Sequence, residues 1–207
     1  MNSIPNELRV KRIQAGPKQP VADAEWVYVD IGFSATKKSC GLLIGGGEPV
    51  EITFTDLIVE LQKLIAVDTS RPLALVIEAP LSVALHQGGP TGRSIEVGET
   101  YTKGRKKVTP TRYWYAGLGL VVLTAATYVL RALHDAQPKR PVHLYEGFVS
   151  FKDQEQQSDH KADVRALHAA RVKGDFLKPA AKDGQGVVES AFKVAGMDFG
   201  VPFIIKG

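Results

Sequence analysis

Short apolar runs and longer amphipathic stretches take turns along this chain, and several of the runs close on an acid. Residues 26–30 (WVYVD) are β-rich and end on Asp30, residues 40–44 (CGLLI) form a second run, and residues 50–54 a third. The polar stretch 32–38 and the glycines Gly45, Gly46 and Gly47 before Pro49 divide them, which predicts three strands joined by turns. The glycine triplet lies between two strands and not between a strand and a helix, so it is a turn and not a phosphate-cradling loop. Leu57, Ile58, Leu61, Leu64 and Ile65 recur at helical spacing, and Thr55 or Asp56 can cap a helix running to about residue 66. Residues 73–77 (LALVI) are uninterrupted apolar, as in a strand buried on both faces, and lead into Glu78.

Residues 86–110 are rich in Gly, Lys and Thr without apolar period, which predicts a long mobile loop. The longest helix is expected over residues 112–133. A strand follows at 142–145 (VHLY), leading into Glu146, then helices over about 158–172 and 186–194. The first 25 residues mix Pro, Gly and charge without period and are expected to be a flexible extension, leaving one domain over residues 26–207. The predicted order is β-β-β-α-β-α-β-α-α, an α/β chain.

Composition narrows the classes. Of 207 residues 44% are hydrophobic and 23% charged, which is globular. The single cysteine, Cys40, excludes an internal disulfide and a cysteine-rich zinc site, and suits a cytoplasmic protein. No secretory leader is readable, and the apolar run 116–130 is interrupted by Thr124, Thr127 and Tyr128, so no membrane span is expected. A net charge of +4 permits a polyanionic partner. Lys103, Arg105, Lys106 and Lys107 are concentrated in one polar stretch, followed by Tyr113, Trp114 and Tyr115, which could pack at a helix start or stack on bases.

The chemistry lies with the acids. Asp30, Glu78 and Glu146 each follow an apolar run, where a carboxylate is costly unless it is paired or bound to metal. Strand ends of open α/β sheets are where ligands bind, and converging hard oxygen donors select Mg²⁺ or Mn²⁺. Glu189 in GVVESAFKVAG and Asp163 in HKADVRAL are further candidates, the latter beside Lys161 and Arg165. Each acid could equally be a salt-bridged strand end or lie on a solvated face. The five histidines do not form a site by spacing: His160 and His168 are too far apart for i,i+4 ligation.

The order of WVYVDIGFSATKKSCGLLI, an acid after LALVI and a late acid among small residues resembles the ribonuclease H-like superfamily. More narrowly it is similar to an uncharacterised group of predicted nucleases with that fold. There the first strand ends in Asp, the fourth reads like IDxP, the fifth begins ExxPxxxF, and a terminal helix carries an acid. The counterparts here are Asp30, Glu78 in VIEAPLS, Glu146 in YEGFVSF and Glu189 in VVESAFKVAG, with Glu in place of Asp at positions 78 and 189.

The resemblance implies a mixed sheet, three antiparallel strands then two parallel, flanked by helices. It also implies a two-metal nuclease acting on DNA or RNA. Asp30 would bridge two Mg²⁺ or Mn²⁺ ions, Glu78 and Glu189 would each hold one, and Glu146 or Asp163 would support them. Lys103, Arg105, Lys106, Lys107, Lys161 and Arg165 would face substrate phosphates or stabilise charge near the metals. Two other functions fit the same residues. One is a non-catalytic module that keeps the fold. The other is a nucleotide-binding phosphotransferase of the actin and sugar-kinase kind, suggested by DIGFSATK but short of the second domain that such proteins use.

Overall fold

The computed structural model describes residues 12–19, 21–32, 34, 36–87, 89–96, 101–103, 105–108, 118–149, 159–182, 184–193 and 197–207. Its strands are β1 (Ile13–Ala15), β2 (Glu25–Asp30), β3 (Cys40–Ile44), β4 (Val50–Ile52), β5 (Leu73–Glu78), β6 (Ser82–His86), β7 (Gly89–Thr91), β8 (Tyr101–Lys103), β9 (Lys106–Val108), β10 (Val142–Phe148), β11 (Phe176–Leu177), β12 (Val187–Ser190) and β13 (Ile204–Lys206). The helices are α1 (Phe54–Ala66), α2 (Leu118–Asp135) and α3 (His160–Lys173).

The protein is α/β, built on an eight-stranded mixed sheet of order β11-β13-β10-β5-β2-β3-β4, with β1 also paired to β10. Strand β3 is antiparallel to both of its neighbours, β2 and β4, and β5 and β10 continue the sheet parallel to β2. Strictly alternating side chains give this sheet two different faces. Val27, Val29, Leu75, Ile77, Val142 and Leu144 are buried in one core with Leu57 and Leu61 of α1 and Val129 and Leu133 of α2. Trp26, Tyr28, Ala74, Val76 and Tyr145 lie on the other face, under Val164, Leu167 and Ala170 of α3. Residues next to one another along a strand therefore serve opposite layers. Every one-residue step decides which side of the sheet an acid can reach.

Local chemistry explains the element ends. Thr53 caps α1, its hydroxyl accepting from Asp56 N at 3.1 Å and donating to Asp56 Oδ2 at 2.7 Å. The cap lies two residues before the expected Thr55, because Phe54 is not the end of a strand but a buried first-turn residue of the helix. Asp159 caps α3 by accepting from Ala162 N at 3.0 Å, and Gly174 closes it in the left-handed conformation. No described helix is long and apolar enough to cross a membrane.

Several expectations are corrected. Residues 13–15 are not part of a loose extension: they pair with 142–144 in parallel, and Ile13 is buried. Residues 1–11 lie outside the described residues. The stretch expected as a mobile loop contains β7, a 3-10 turn at Ser94–Glu96 and the β8–β9 hairpin, all too short to show a period in sequence. Its residues 97–100 and 104 lie outside the described residues, as do 109–117 with Tyr113, Trp114 and Tyr115. Residues 187–190 form a strand, not a helix, paired antiparallel with β6. Their two adjacent valines fit a strand better than a helix.

Candidate metal centre

One transverse row of the main sheet brings the acids together. Asp30 is in register with Glu78 on one side and with Gly41 on the other. Glu78 is in turn level with Gly147, and Gly41 with Glu51. The row thus reads Glu51, Gly41, Asp30, Glu78, Gly147 across five neighbouring strands. Residues level with one another share a face, and two positions along from Tyr28 and Val76 that face is the one beneath α3.

The two glycines decide how closely other groups can approach. A methyl group at Gly41 would collide with the backbone carbonyl of His160, so only glycine lets the first turn of α3 rest on β3 at this level. A methyl at Gly147 would lie 2.9 Å from Leu167 Cδ1 and 3.2 Å from the Glu78 backbone. Seated this way, the first turn of α3 delivers His160 and Asp163, three residues apart on one side of the helix. The helix N-terminus itself contributes partial positive charge toward the carboxylates.

His160 Nδ1 lies 2.5 Å from Asp30 Oδ2. Asp30, His160 and Asp163 each offer a ligand atom, all within 4.8 Å of one another. Asp30 and Asp163 are buried, and His160 and Glu78 are partly so. The hydrogen bond to Asp30 pushes His160 above its ordinary value of 6.5. Burial opposes that shift, and the charges of Asp30, Asp163 and Glu51 reinforce it. The carboxylates of Asp30, Asp163 and Glu51 around one imidazole concentrate negative charge, which a divalent cation would offset. Glu78 is level with Asp30 but is not among the ligand atoms within 4.8 Å of one another. Oxygen donors with a single imidazole suit Mn²⁺ or Mg²⁺, so the residues present fit the expected ion.

The remaining expected ligands lie elsewhere. Glu146 is not at a strand end, since β10 runs on to Phe148. It falls out of phase with Gly147 and so points to the face opposite α3. There it is fully buried, with Oε1 2.6 Å from Arg93 Nη1 and Oε2 accepting from Leu81 N at 2.9 Å. Arg93 also reaches Ser82 Oγ at 3.0 Å. Glu146 is thereby tied to the segment following β5 and is not available as a metal ligand. Glu189, expected on a helix, is on β12 of a separate three-stranded sheet, opposite Val83 and paired with Lys193 at 3.0 Å. It does not join the group.

Among the basic candidates, Arg165 pairs with Glu48 at 3.1 Å on the outside of α3, and Lys161 is on the first turn beside His160. Arg105, Lys106 and Lys107 are exposed at the β8–β9 hairpin, with Lys103 of β8 in register with Lys106. Cys40, in contact with Gly32 O, is pushed up to about 11 chiefly by burial, and is a packed thiol. His160 and Glu51 escaped the sequence reading. The signal for His160 was the pair HxxD immediately after a capping Asp, which places imidazole and carboxylate on one side of a helix start.

Comparison of the chain with protein-family models, with curated proteins and with solved structures gives no match.

Proposed function

We propose that this protein is a ribonuclease H-like, divalent-metal-dependent nuclease whose centre is Asp30, Glu78, His160 and Asp163. The observation that carries this reading is the convergence itself. The carboxylate of Asp30, level with Glu78 in one register row, meets a helix start that adds the carboxylate of Asp163 and the imidazole of His160 within 4.8 Å. Three antiparallel strands followed by two parallel ones, the arrangement that the sequence resemblance implies, support the fold assignment.

In this reading Asp30, Glu78 and Asp163 would hold Mg²⁺ or Mn²⁺. When bound, the ions supply Lewis acidity for a phosphoryl oxygen and an acidified water as nucleophile. Asp30 orients His160 through Nδ1 and leaves Nε2 as the atom at which the imidazole can take up a proton from the attacking water. Glu51 stays two strands out from Asp30, beyond Gly41, and adds charge that favours cation capture. Arg93 and Glu146 hold the chain beyond Glu78 rigid from beneath, which keeps Glu78 at its level in the row. Lys106 and Lys107 would meet substrate phosphates at longer range.

The test is cleavage of single-stranded, duplex and branched DNA and RNA with Mn²⁺, run beside Asp30→Asn. The reading expects cleavage by the wild type that chelation stops, and its loss in the variant by at least about 100-fold, since even outer-shell changes at metal sites cost 10–100-fold. Equal cleavage by both proteins would remove the nuclease assignment.

A further inference from the structure

On the same face of the sheet, at the opposite end of α3 from the carboxylates, lies an open groove of about 440 Å³. Trp26 and Tyr28 of β2, Gly45 and Gly46 of the β3–β4 turn, Arg71, and His168 and Arg171 of α3 are among the residues that line it. Three features set it apart from an ordinary surface depression.

The first is its charge. Neither Arg71 nor Arg171 has a carboxylate partner among the described residues. Arg71 donates through Nε to the carbonyl of Asp23 at 2.6 Å. Arg171 lies over Trp26, its guanidinium carbon 4.4 Å from the ring centroid. A guanidinium held over an aromatic ring keeps its charge and its N–H donors, which suit an anion. The acid in the groove, Glu25, is already neutralised by Arg140 at 2.6 Å.

The second feature is an orphaned donor. Tyr28 is completely buried, yet its hydroxyl has no hydrogen-bond partner among the described residues. Buried polar groups are almost always satisfied, and an exception calls for an account. The rings of His168 and Tyr28 pack nearly at right angles, 5.4 Å between centroids. Burial pushes the phenol up to about 12, against the pull of the nearby Arg171 charge, so it remains a donor at neutral pH. Two arginines and a neutral O–H donor in the lining of one groove form a donor set complementary to a phosphate.

The third is its placement. Trp26 precedes Asp30 by four residues on one strand, a rise of about 13 Å at the usual 3.3 Å per residue. That span is short enough for one nucleic-acid strand to meet the groove and the carboxylates together.

We infer that this groove is a phosphate subsite for a nucleic-acid strand, in which Arg71 and Arg171 hold a backbone phosphate and the Tyr28 hydroxyl donates to it from the floor. The inference rests on the nuclease reading for the identity of the strand, and its test is independent of cleavage. Binding of a labelled single-stranded DNA is measured by anisotropy in EDTA across a salt series, for the wild type, Arg171→Gln and Tyr28→Phe. Inorganic phosphate is titrated alongside by NMR.

Arg171→Gln is expected to weaken DNA binding about tenfold and to flatten the salt dependence by about one ion. Tyr28→Phe removes a hydroxyl that has no partner, so a purely structural role leaves binding unchanged and the melting temperature equal or higher. The subsite instead expects binding to fall several-fold at undiminished melting temperature. Wild-type affinity and salt slope in both variants would overturn it. Phosphate binding without DNA binding would overturn the strand assignment. Intact DNA binding in EDTA with no Mn²⁺ cleavage would count against the nuclease reading alone and leave the subsite standing.

Discussion

At the scale of single residues, Asp30 carries the most. It is level with Glu78, bonded to His160 and within reach of Asp163, so any change there alters three neighbours at once. His160 translates this into a pH dependence. Its folded pKa is raised above the ordinary 6.5, so in the metal-free protein its ion pair contributes stability that is fully present below that value. The contribution is lost as pH rises through the folded pKa. Melting temperatures in EDTA are therefore expected to fall with rising pH in the wild type more than in His160→Asn. Mn²⁺ affinity should move the other way, strengthening over the same range as the proton that competes for Asp30 leaves.

Glu146 gives the complementary residue-scale prediction. Its carboxylate is fully buried against Arg93, and breaking one side of such a pair costs about 3–5 kcal/mol. Glu146→Gln is expected to show that loss by urea denaturation while Mn²⁺ affinity, measured by calorimetry, stays at the wild-type value. A drop in affinity without a drop in stability would make Glu146 a ligand.

At the scale of elements, the seating of α3 on β3 is the step that turns separate acids into a group. Gly41→Ala forces the first turn of α3 off the sheet, since the added methyl meets the His160 carbonyl. Overpacking of this kind costs about 1–3 kcal/mol, and here Mn²⁺ affinity should fall with it. Calorimetry and thermal melting on the same sample check both. Unchanged metal affinity would separate the helix position from the site.

The elements also show how far the chain could be read without coordinates. β2 and β5 were legible as apolar runs closed by an acid, and α1 by its apolar period although its cap is Thr53, while α3, with a weaker apolar period, lies close to its expected bounds. β1, β7 and β11 were not, because strands of two or three residues are held by their partners and carry no period of their own. Asp30 and Glu78 were legible as carboxylates at the ends of apolar runs. Glu146 looked equivalent to them, but sits one residue out of phase in a strand that continues past it, and alternation sends it to the other face. Glu189 drew its weight from an assumed helix that is in fact β12. Its place is taken by Asp163, whose partner in α3, His160, cannot be read from i,i+4 spacing because its partners are on other elements.

At the scale of the whole molecule, the sheet divides labour between its faces. α1 and α2 cover one with an apolar core, and α3 covers the other with an apolar middle, a carboxylate group at its start and a cationic groove at its end. A strand lying along α3 would meet the cluster and the groove in turn. The β8–β9 hairpin adds exposed Arg105, Lys106 and Lys107 to the surface charge. If it meets substrate, Lys106→Ala with Lys107→Ala should lower the slope of log affinity against log salt by about 1–2, without base preference. Anisotropy titrations at several salt concentrations check this, and an unchanged slope would place the hairpin away from nucleic acid.

The most direct measurement is anomalous diffraction at the manganese edge from crystals soaked in Mn²⁺. The account expects a peak bounded by carboxylate oxygens of Asp30, Glu78 and Asp163, absent from crystals of Asp30→Asn. Saturating Mn²⁺ with no peak at that row, or a peak at Glu189 instead, would contradict it.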